Sequence, residues 1–171
     1  APTEGLNAPK VFLGVLRAFL KFEGQPPGSS ALLSELATVE NETGTTVDLV
    51  RTKERNLIRN SGQYWKALGL LEESDPVIAL TPFGRAVASG AITMSAFATT
   101  AIATLALPNK RIQADYLKWT AAGIVIKPLE LILQILVKLK GYGPQEHYIT
   151  KNELVRIVEP LSGINASIDD C

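Results

Sequence analysis

The residues with the clearest potential for chemistry lie between positions 51 and 66, where cationic side chains are followed by hydroxyl and amide side chains. Arg51, Arg55 and Arg59 are spaced four residues apart, which places them on one face of a helix. Guanidinium groups bind phosphates, and amide, hydroxyl and guanidinium groups can read base edges in the major groove of DNA. The spacing therefore predicts a helical surface for nucleic acid. Its candidate residues are Arg51, Lys53, Arg55, Arg59, Asn60, Ser61, Gln63, Tyr64 and Lys66.

These side chains divide into two groups by their chemistry. The arginines are expected to bind phosphates, and Asn60, Ser61, Gln63 and Tyr64 are expected to lie nearest the bases. A helix that restarts at Ser61 would also offer free backbone N–H groups to phosphate. The alternative is an ordinary solvated helix face, partly neutralised by Glu54.

A second basic corner follows Pro108, where Asn109, Lys110 and Arg111 are adjacent. The corner is expected either to bind phosphate or only to keep a loop in solvent. A nearby feature argues against a simple phosphate-binding wing, because Glu72, Glu73 and Asp75 make the predicted hairpin acidic.

The charges are balanced overall but sorted along the chain. Seventeen basic residues stand against seventeen acidic ones, so overall basicity gives no support for nucleic-acid binding. Residues 43–68, however, hold five basic and two acidic residues, and residues 108–140 hold six and two. Two local regions are therefore cationic.

The sequence offers no recognisable catalytic or metal-binding pattern. The one cysteine, Cys171, excludes an internal disulfide and a cysteine-based zinc site, and His147 has no companion ligand. A glycine-rich phosphate loop and the acid and acid-x-lysine pair of a metal-dependent nuclease are also missing. No catalytic residue, metal or cofactor is predicted, and Trp65 and Trp119 are interpreted as packing residues.

The chain is expected to be a cytoplasmic protein without a membrane span. Residues 1–7 are polar, unlike a secretory signal, and no apolar run approaches the roughly 20 residues that a spanning helix needs.

Capping residues, prolines and glycines predict the elements of the first half. Helices are expected from about Ala8, capped by Asn7, to Gly24, over 31–40, capped by Ser29 or Ser30, and over 47–59 and 61–68. Strands over 70–73 and 77–80 and a helix over Pro82–Ser89, capped by Thr81, are expected to follow. The inward stripe of the first helix is predicted at Val11, Leu13, Leu16, Phe19 and Leu20. The order helix, helix, helix, β-hairpin, helix describes a winged helix, which is a helix-turn-helix plus a hairpin.

The second half is expected to be helical throughout. Helices are predicted over 93–107, 112–122, from Pro128 to about Leu139, and from Thr150 to Val158, where Thr150 and Glu153 have the spacing of a capping box. The third would bury Leu129, Ile132, Leu133, Leu136 and Leu139. The fold class is therefore mainly α, with a winged-helix unit over 1–90 and a helical unit over 91–171. An incomplete second winged helix, continuing in a longer protein, is an alternative for the second unit.

Two groups of short sequences resemble known DNA-recognition regions. RNSGQYWKALGLLE (59–72) and IALTPFGRAVASG (78–90) resemble the third helix, wing and following helix of winged-helix modules. LALPN (105–109), GIVIKPLELILQIL (123–136) and ITKNELVRIV (149–158) resemble the target-recognition regions of type II restriction endonucleases of the AlwI kind.

The resemblance implies a sequence-specific DNA-recognition region that lies beside a separate cleavage domain. The PD-(D/E)xK nuclease core of the complete family is missing, so cleavage would belong to a domain or subunit outside this chain. By carry-over the recognition residues would be Arg59, Asn60, Ser61, Gln63, Asn109, Lys110 and Arg111.

Two functions remain open at the level of sequence. The first is recognition of double-stranded DNA for a restriction endonuclease or related defence protein. The second is a winged helix that docks another protein or forms a homodimer, which the neutral net charge and the acidic hairpin favour.

Overall fold

The computed structural model describes residues 8–50, 62, 64–72, 76–109, 113–142 and 148–158. The chain is mainly helical and divides into two compact units, Ala1–Phe97 and Ala98–Cys171. In the first unit the described helices are α1 (Pro9–Lys21), α2 (Ser30–Thr43), α3 (which includes residues 62 and 64–67) and α4 (Pro82–Ser89).

The ends of α1 and α2 follow from local chemistry. Pro9 occupies the first position of α1, and the N-cap is Ala8 in extended conformation, so the predicted cap at Asn7 is wrong by one residue. The Ser29 hydroxyl accepts a hydrogen bond from the Leu32 amide at the start of α2, as predicted. α2 ends at Thr43, three residues after the predicted end at 40, and Gly44 caps it in the left-handed conformation.

Residues 47–50 are not helical, which corrects the helix predicted from Val47. The side chain of Glu40, on α2, accepts hydrogen bonds from the amides of Leu49 and Val50 (3.1 Å for Val50). Leu49 is completely buried. A carboxylate from the preceding helix therefore satisfies two backbone amides of this non-helical stretch. The remainder of that predicted helix, 51–59, lies outside the described residues.

The core of the first unit is an aromatic cluster between α1 and α3. Trp65 is fully buried, with its ring stacked on Phe12 at 5.0 Å and edge-on to Phe19 at 5.5 Å. Phe97 adds a ring 5.2 Å from Phe12. The interpretation of Trp65 as a packing residue is confirmed.

The buried face of α1 is broader than the predicted stripe. Leu13 and Leu20 are half-buried, whereas Phe12, Val15 and Ala18 are buried. This face packs on both α2 and α4, and a helix between two partners buries more than one row of side chains. Gly14 allows the close approach to α2, since a Cβ there would lie 2.6 Å from Cγ1 of Val39.

The predicted strands 70–73 and 77–80 are not formed in the described residues, which contain an isolated antiparallel bridge between Leu71 and Leu80. The Glu72 amide donates to the Ala79 carbonyl at 2.9 Å, and the Thr81 amide donates to the Leu70 carbonyl at 3.0 Å. Pro76 has no N–H with which to lengthen the ladder. Residues 73–75 lie outside the described part.

A third segment pairs with this bridged pair. The Gly24 amide donates to the Ile78 carbonyl at 2.8 Å, and the Ile78 amide donates to the Gln25 carbonyl at 2.9 Å. The chain just after α1 therefore lies along the 78–80 segment, on the edge opposite to residues 70–72.

In the second unit the helices are shorter than predicted at several ends. They are α5 (Met94–Thr104, which begins in the first unit), α6 (Gln113–Ala121), α7 (Pro128–Leu139) with a 3-10 turn (Lys140–Tyr142), and α8 (Lys151–Glu153) continued by a π turn (Leu154–Val158). α5 stops before Leu107 because Leu107 exchanges two 2.7 Å backbone hydrogen bonds with Ile126. The predicted capping box of Thr150 and Glu153 is present.

The predicted buried side of α7 is only partly covered. Leu129, Ile132, Leu136 and Leu139 are half-buried, Leu133 is 46% exposed, and no residue of α7 is fully buried. The amphipathic pattern correctly gave a helix beginning at Pro128 but overestimated its burial, and Val137, outside the predicted side, is 63% exposed.

In the described part of the chain, no helix combines the length and apolar character needed to cross a membrane.

Candidate nucleic-acid interface

The structure describes three of the twelve predicted contact residues, Tyr64, Lys66 and Asn109. The others lie outside the described residues: Arg51, Lys53, Arg55, Arg59, Asn60, Ser61, Gln63, Lys110 and Arg111. Their assignment to phosphates or bases stays a prediction from sequence.

Tyr64 and Lys66 lie on the two flanks of the buried side of α3. Because successive helical residues are rotated by about 100°, the two neighbours of the buried Trp65 point sideways from the core. Both side chains are half-buried. α3 therefore presents its edges, with an aromatic hydroxyl on one and a cation on the other, while Trp65 fixes its rotation.

The ring of Tyr64 is partly withdrawn from water. It meets the Trp65 ring edge-on, with centroids 5.8 Å apart and an interplanar angle of 68°. Burial raises the pKa of the Tyr64 hydroxyl above its ordinary value of 10.0. At neutral pH this hydroxyl is protonated and can both donate and accept a hydrogen bond.

Trp65 carries an unpaired donor in the core. Its Nε1 is buried and has no hydrogen-bond partner within the described structure. The stacked rings around it supply packing but no acceptor oxygen. Leaving such a donor unpaired costs about 1–3 kcal/mol, which the burial of this large ring must offset.

The end of α3 is anchored to the start of α4 through Thr81, a buried polar residue. Its hydroxyl donates to the Gly69 carbonyl (2.5 Å) and accepts from the Gly84 amide (2.9 Å), so it caps α4 and satisfies the turn after α3. Gly84 lies directly against the Leu70 carbonyl, where a Cβ would come within 2.1 Å of the oxygen. The sequences LGL (68–70) and LTPFG (80–84) therefore pack against each other through Thr81 and Gly84.

A carboxylate clasp joins the end of α1, the 78–80 segment and α4. Glu23 Oε1 accepts from the Leu80 amide (2.8 Å) and from Nη2 of Arg85 (2.7 Å), and its Oε2 accepts from Nε of Arg85 (3.0 Å). The hydrogen bond from Arg85 is the main cause that lowers the pKa of Glu23. Burial opposes it, and the Leu80 amide and the charge of Arg85 lower the pKa further. The carboxylate is therefore ionised throughout the neutral range.

The second predicted contact region, residues 109–111, follows directly after the bridge between Leu107 and Ile126. Asn109 is half-buried and follows the cis Leu107–Pro108 peptide, next to the bridge with Ile126. Two neighbouring predicted residues, Lys110 and Arg111, lie outside the described part. Of this basic corner, the structure therefore describes Asn109 and not the two cationic residues.

The described residues contain no group of three metal-ligating side chains placed to hold an ion. The polar groups that the structure does bring together, in the clasp and around Thr81, are engaged with one another and with the backbone.

Sequence reasoning missed Glu23, Glu40 and Arg85, which organise the first unit. The spacing of 62 residues between Glu23 and Arg85 carries no local signal. Thr81 could be found as a helix cap, but its contacts with residues 69 and 70 depend on tertiary structure.

Comparison of the chain with protein-family models, with curated proteins and with solved structures finds no match.

Proposed function

We propose that this chain is a module for sequence-specific recognition of double-stranded DNA, built on a winged helix and belonging to a restriction-type or related DNA-defence system. Cleavage would then be carried out by a nuclease domain or subunit outside the chain. The proposed site of action is the cytoplasm, which a single cysteine fits.

The observation that carries the proposal is the pairing around Ile78. Residues 24–25 pair with Ile78 on one edge, and Leu71 bridges Leu80 on the other, in the chain order α1, segment, α2, α3, segment, segment, α4. This is the order in which a winged helix places its three short strands among its helices. The described α3 precedes the bridged pair, which is the place of the recognition helix.

Residue types supply the second support. α3 and the residues before it carry arginines, amides and hydroxyls, the groups that bind phosphates and read base edges. In the proposed complex Arg51, Arg55, Arg59 and Lys110 bind phosphates. Asn60, Ser61, Gln63 and Tyr64 lie nearest the bases.

Fluorescence anisotropy with a randomised duplex library, followed by the preferred duplex at several salt concentrations, tests the proposal. Arg55→Ala should weaken binding to every sequence and reduce the salt slope by about one unit. Gln63→Ala should relax the preference at one base pair, at a cost of about 1–3 kcal/mol.

Lys10→Ala is the matched control for Arg55→Ala, because Lys10 is an exposed cation of α1 that has no part in the proposed interface. Equal affinities of the wild type for all duplexes would overturn sequence-specific recognition. No binding at low salt would overturn the proposal altogether.

A second candidate function is protein docking, which the uncovered apolar side chains of α7 favour. Leu133 and Val137 lie one turn apart and are both exposed, whereas soluble monomers rarely leave a large apolar patch uncovered. Sedimentation of the protein with and without duplex DNA separates the two. A concentration-dependent oligomer that ignores DNA at low salt, and that Val137→Lys returns to a monomer, would favour docking.

A further inference from the structure

We propose that Glu23 is a positioning residue for DNA recognition: its carboxylate fixes the 78–80 segment, the second side of the proposed wing, against α1 and α4. The inference rests on the proposed function and assigns to the wing a defined anchor outside the hairpin itself.

The geometry gives the carboxylate three simultaneous hydrogen bonds, from one residue on each of two other elements. Oε1 accepts hydrogen bonds from the Leu80 amide and from Nη2 of Arg85, and Oε2 accepts a hydrogen bond from Nε of Arg85. The next residue, Gly24, pairs its amide with the Ile78 carbonyl. One short stretch after α1 therefore fixes two residues of the 78–80 segment.

The bridged pair is held by the burial of Leu71, Ile78 and Leu80 and by the hydrogen bonds of Thr81 to residues 69 and 70, and Glu23 adds an anchor on its other edge. It contains one bridge, at Leu71 and Leu80, and a two-segment ribbon is only marginally stable in water. Leu80 takes part in both contacts, because its amide meets Glu23 while its segment meets Leu71. Loss of the carboxylate would leave this amide without its acceptor.

An amide of the same shape cannot make the same hydrogen bonds as the Glu23 carboxylate. The guanidinium of Arg85 presents two parallel N–H groups, which match two carboxylate oxygens, whereas an amide offers only one acceptor. The charge of Glu72, on the opposite segment, also favours the cationic form of Arg85. Arg85 therefore interacts with carboxylates of two segments, with Glu23 by hydrogen bonds and with Glu72 through charge alone.

The 78–80 segment pairs with residues 70–72, which follow α3 after a short turn, so a loosened segment should let the proposed recognition helix shift. This should reduce discrimination between sequences more than it reduces overall stability. This is a property that a purely structural ion pair would not have.

The test is Glu23→Gln in the full chain, with Glu35→Gln as the matched control. Glu35 forms a 2.6 Å ion pair with Lys21 between α1 and α2, so the same substitution removes an ion pair that does not touch the 78–80 segment. Arg85→Lys is a second variant, which keeps the charge and loses the two-pronged geometry. Hydrogen exchange of the Ile78 and Leu80 amides and anisotropy on preferred and altered duplexes are measured for each.

We expect the Ile78 and Leu80 amides of Glu23→Gln and Arg85→Lys to exchange about tenfold faster, with core amides of α1 unchanged. Discrimination between preferred and altered duplexes should fall by about threefold to tenfold, and Glu35→Gln should change neither quantity.

Faster exchange with unchanged discrimination would overturn the positioning role while leaving DNA recognition intact. Unchanged exchange at Ile78 and Leu80 would overturn the clasp itself. A wild type that binds no duplex would overturn the proposed function and, with it, the role assigned here to Glu23.

Discussion

At the scale of single residues, two glycines determine how closely the helices of the first unit can pack. Gly84 brings α4 against the Leu70 carbonyl, and Gly14 brings α1 against Val39 of α2. The two contacts differ in what opposes an added methyl group. At Gly84 the obstacle is backbone, which cannot rotate away, and at Gly14 it is one methyl group of a valine.

Gly84→Ala should destabilise the first unit by about 2–3 kcal/mol, because the new Cβ would lie 2.1 Å from the Leu70 oxygen and α4 would have to move. Denaturant unfolding monitored by tryptophan fluorescence measures the change. Gly141→Ala is the control, since nothing lies within 4 Å of a Cβ there, and it should stay within about 0.5 kcal/mol of the wild type. Equal stability of all three proteins would mean that the close approach is not maintained in solution.

Gly14→Ala should be less damaging when Val39 is shortened. An added Cβ at Gly14 would lie 2.6 Å from Cγ1 of Val39, and Val39→Ala removes that atom. Each single change is expected to destabilise, and the double variant should recover about 0.5–3 kcal/mol relative to the sum of the two. Strict additivity in this double-mutant cycle would show that the helices adjust elsewhere.

At the scale of elements, the clasp of Glu23 makes the stability of the first unit depend on pH. The pKa of Glu23 is lowered from its ordinary value of 4.5, first by the hydrogen bond from Arg85. The stabilisation is therefore complete above pH 4.5 and is lost as the pH falls through the lower pKa of the folded state.

The measurement is the free energy of unfolding from neutral pH down to pH 3, compared with Glu23→Gln. The wild type should lose more stability than the variant at the acid end, and the two curves should approach each other there. Exposed ion pairs contribute up to about 1 kcal/mol, which sets the size of the expected gap at neutral pH. Parallel curves at all pH values would exclude a contribution from this carboxylate.

The elements also show how far the sequence determines this fold. The helix over Pro82–Ser89 was predicted at both ends, because Thr81, Pro82 and Gly90 act on their immediate neighbours. The capping box at Thr150 was predicted for the same reason. Local chemistry of this kind requires no knowledge of tertiary structure.

The failures lie where a distant group intervenes. Apolar spacing from Val47 predicted a helix, but residues 47–50 are not helical, and the amides of Leu49 and Val50 are bound by the Glu40 carboxylate of α2, a contact that apolar spacing does not show. The pattern of α7 gave its start and not its burial, since periodicity shows which side chains share a face and not whether a partner covers them. For the candidate interface, the sequence provided the residue types. It did not predict the contact of Glu23 with Leu80 and Arg85, because these residues are far apart in sequence.

At the scale of the whole molecule, the two units have very different cores. The described residues of Ala98–Cys171 bury only Ala101, whereas the core of Ala1–Phe97 includes Trp65, Phe12 and Phe19. Burial of apolar side chains is the main source of stability, so the second unit should be the weaker of the two.

Each unit holds one tryptophan, which allows the two to be followed separately. Trp119→Phe leaves Trp65 as the reporter of the first unit, and Trp65→Phe leaves Trp119, which is half-buried, as the reporter of the second. We expect the Trp119 signal to change at a lower urea concentration than the Trp65 signal. Coincident transitions of the two signals would instead indicate that the chain unfolds as one cooperative body.

The contacts of Thr81 have a practical consequence for engineering the protein. Its amide and hydroxyl are bonded to the carbonyls of Leu70 and Gly69, so the stretch between them is closed at its base whatever its length. Lengthening a loop whose ends are already joined costs little entropy, about 0.6 kcal/mol for each doubling. An epitope or a fluorophore-binding tag inserted between these joined ends, away from the bridge of Leu71 and Leu80, should therefore leave the fold intact and could report on the approach of a ligand.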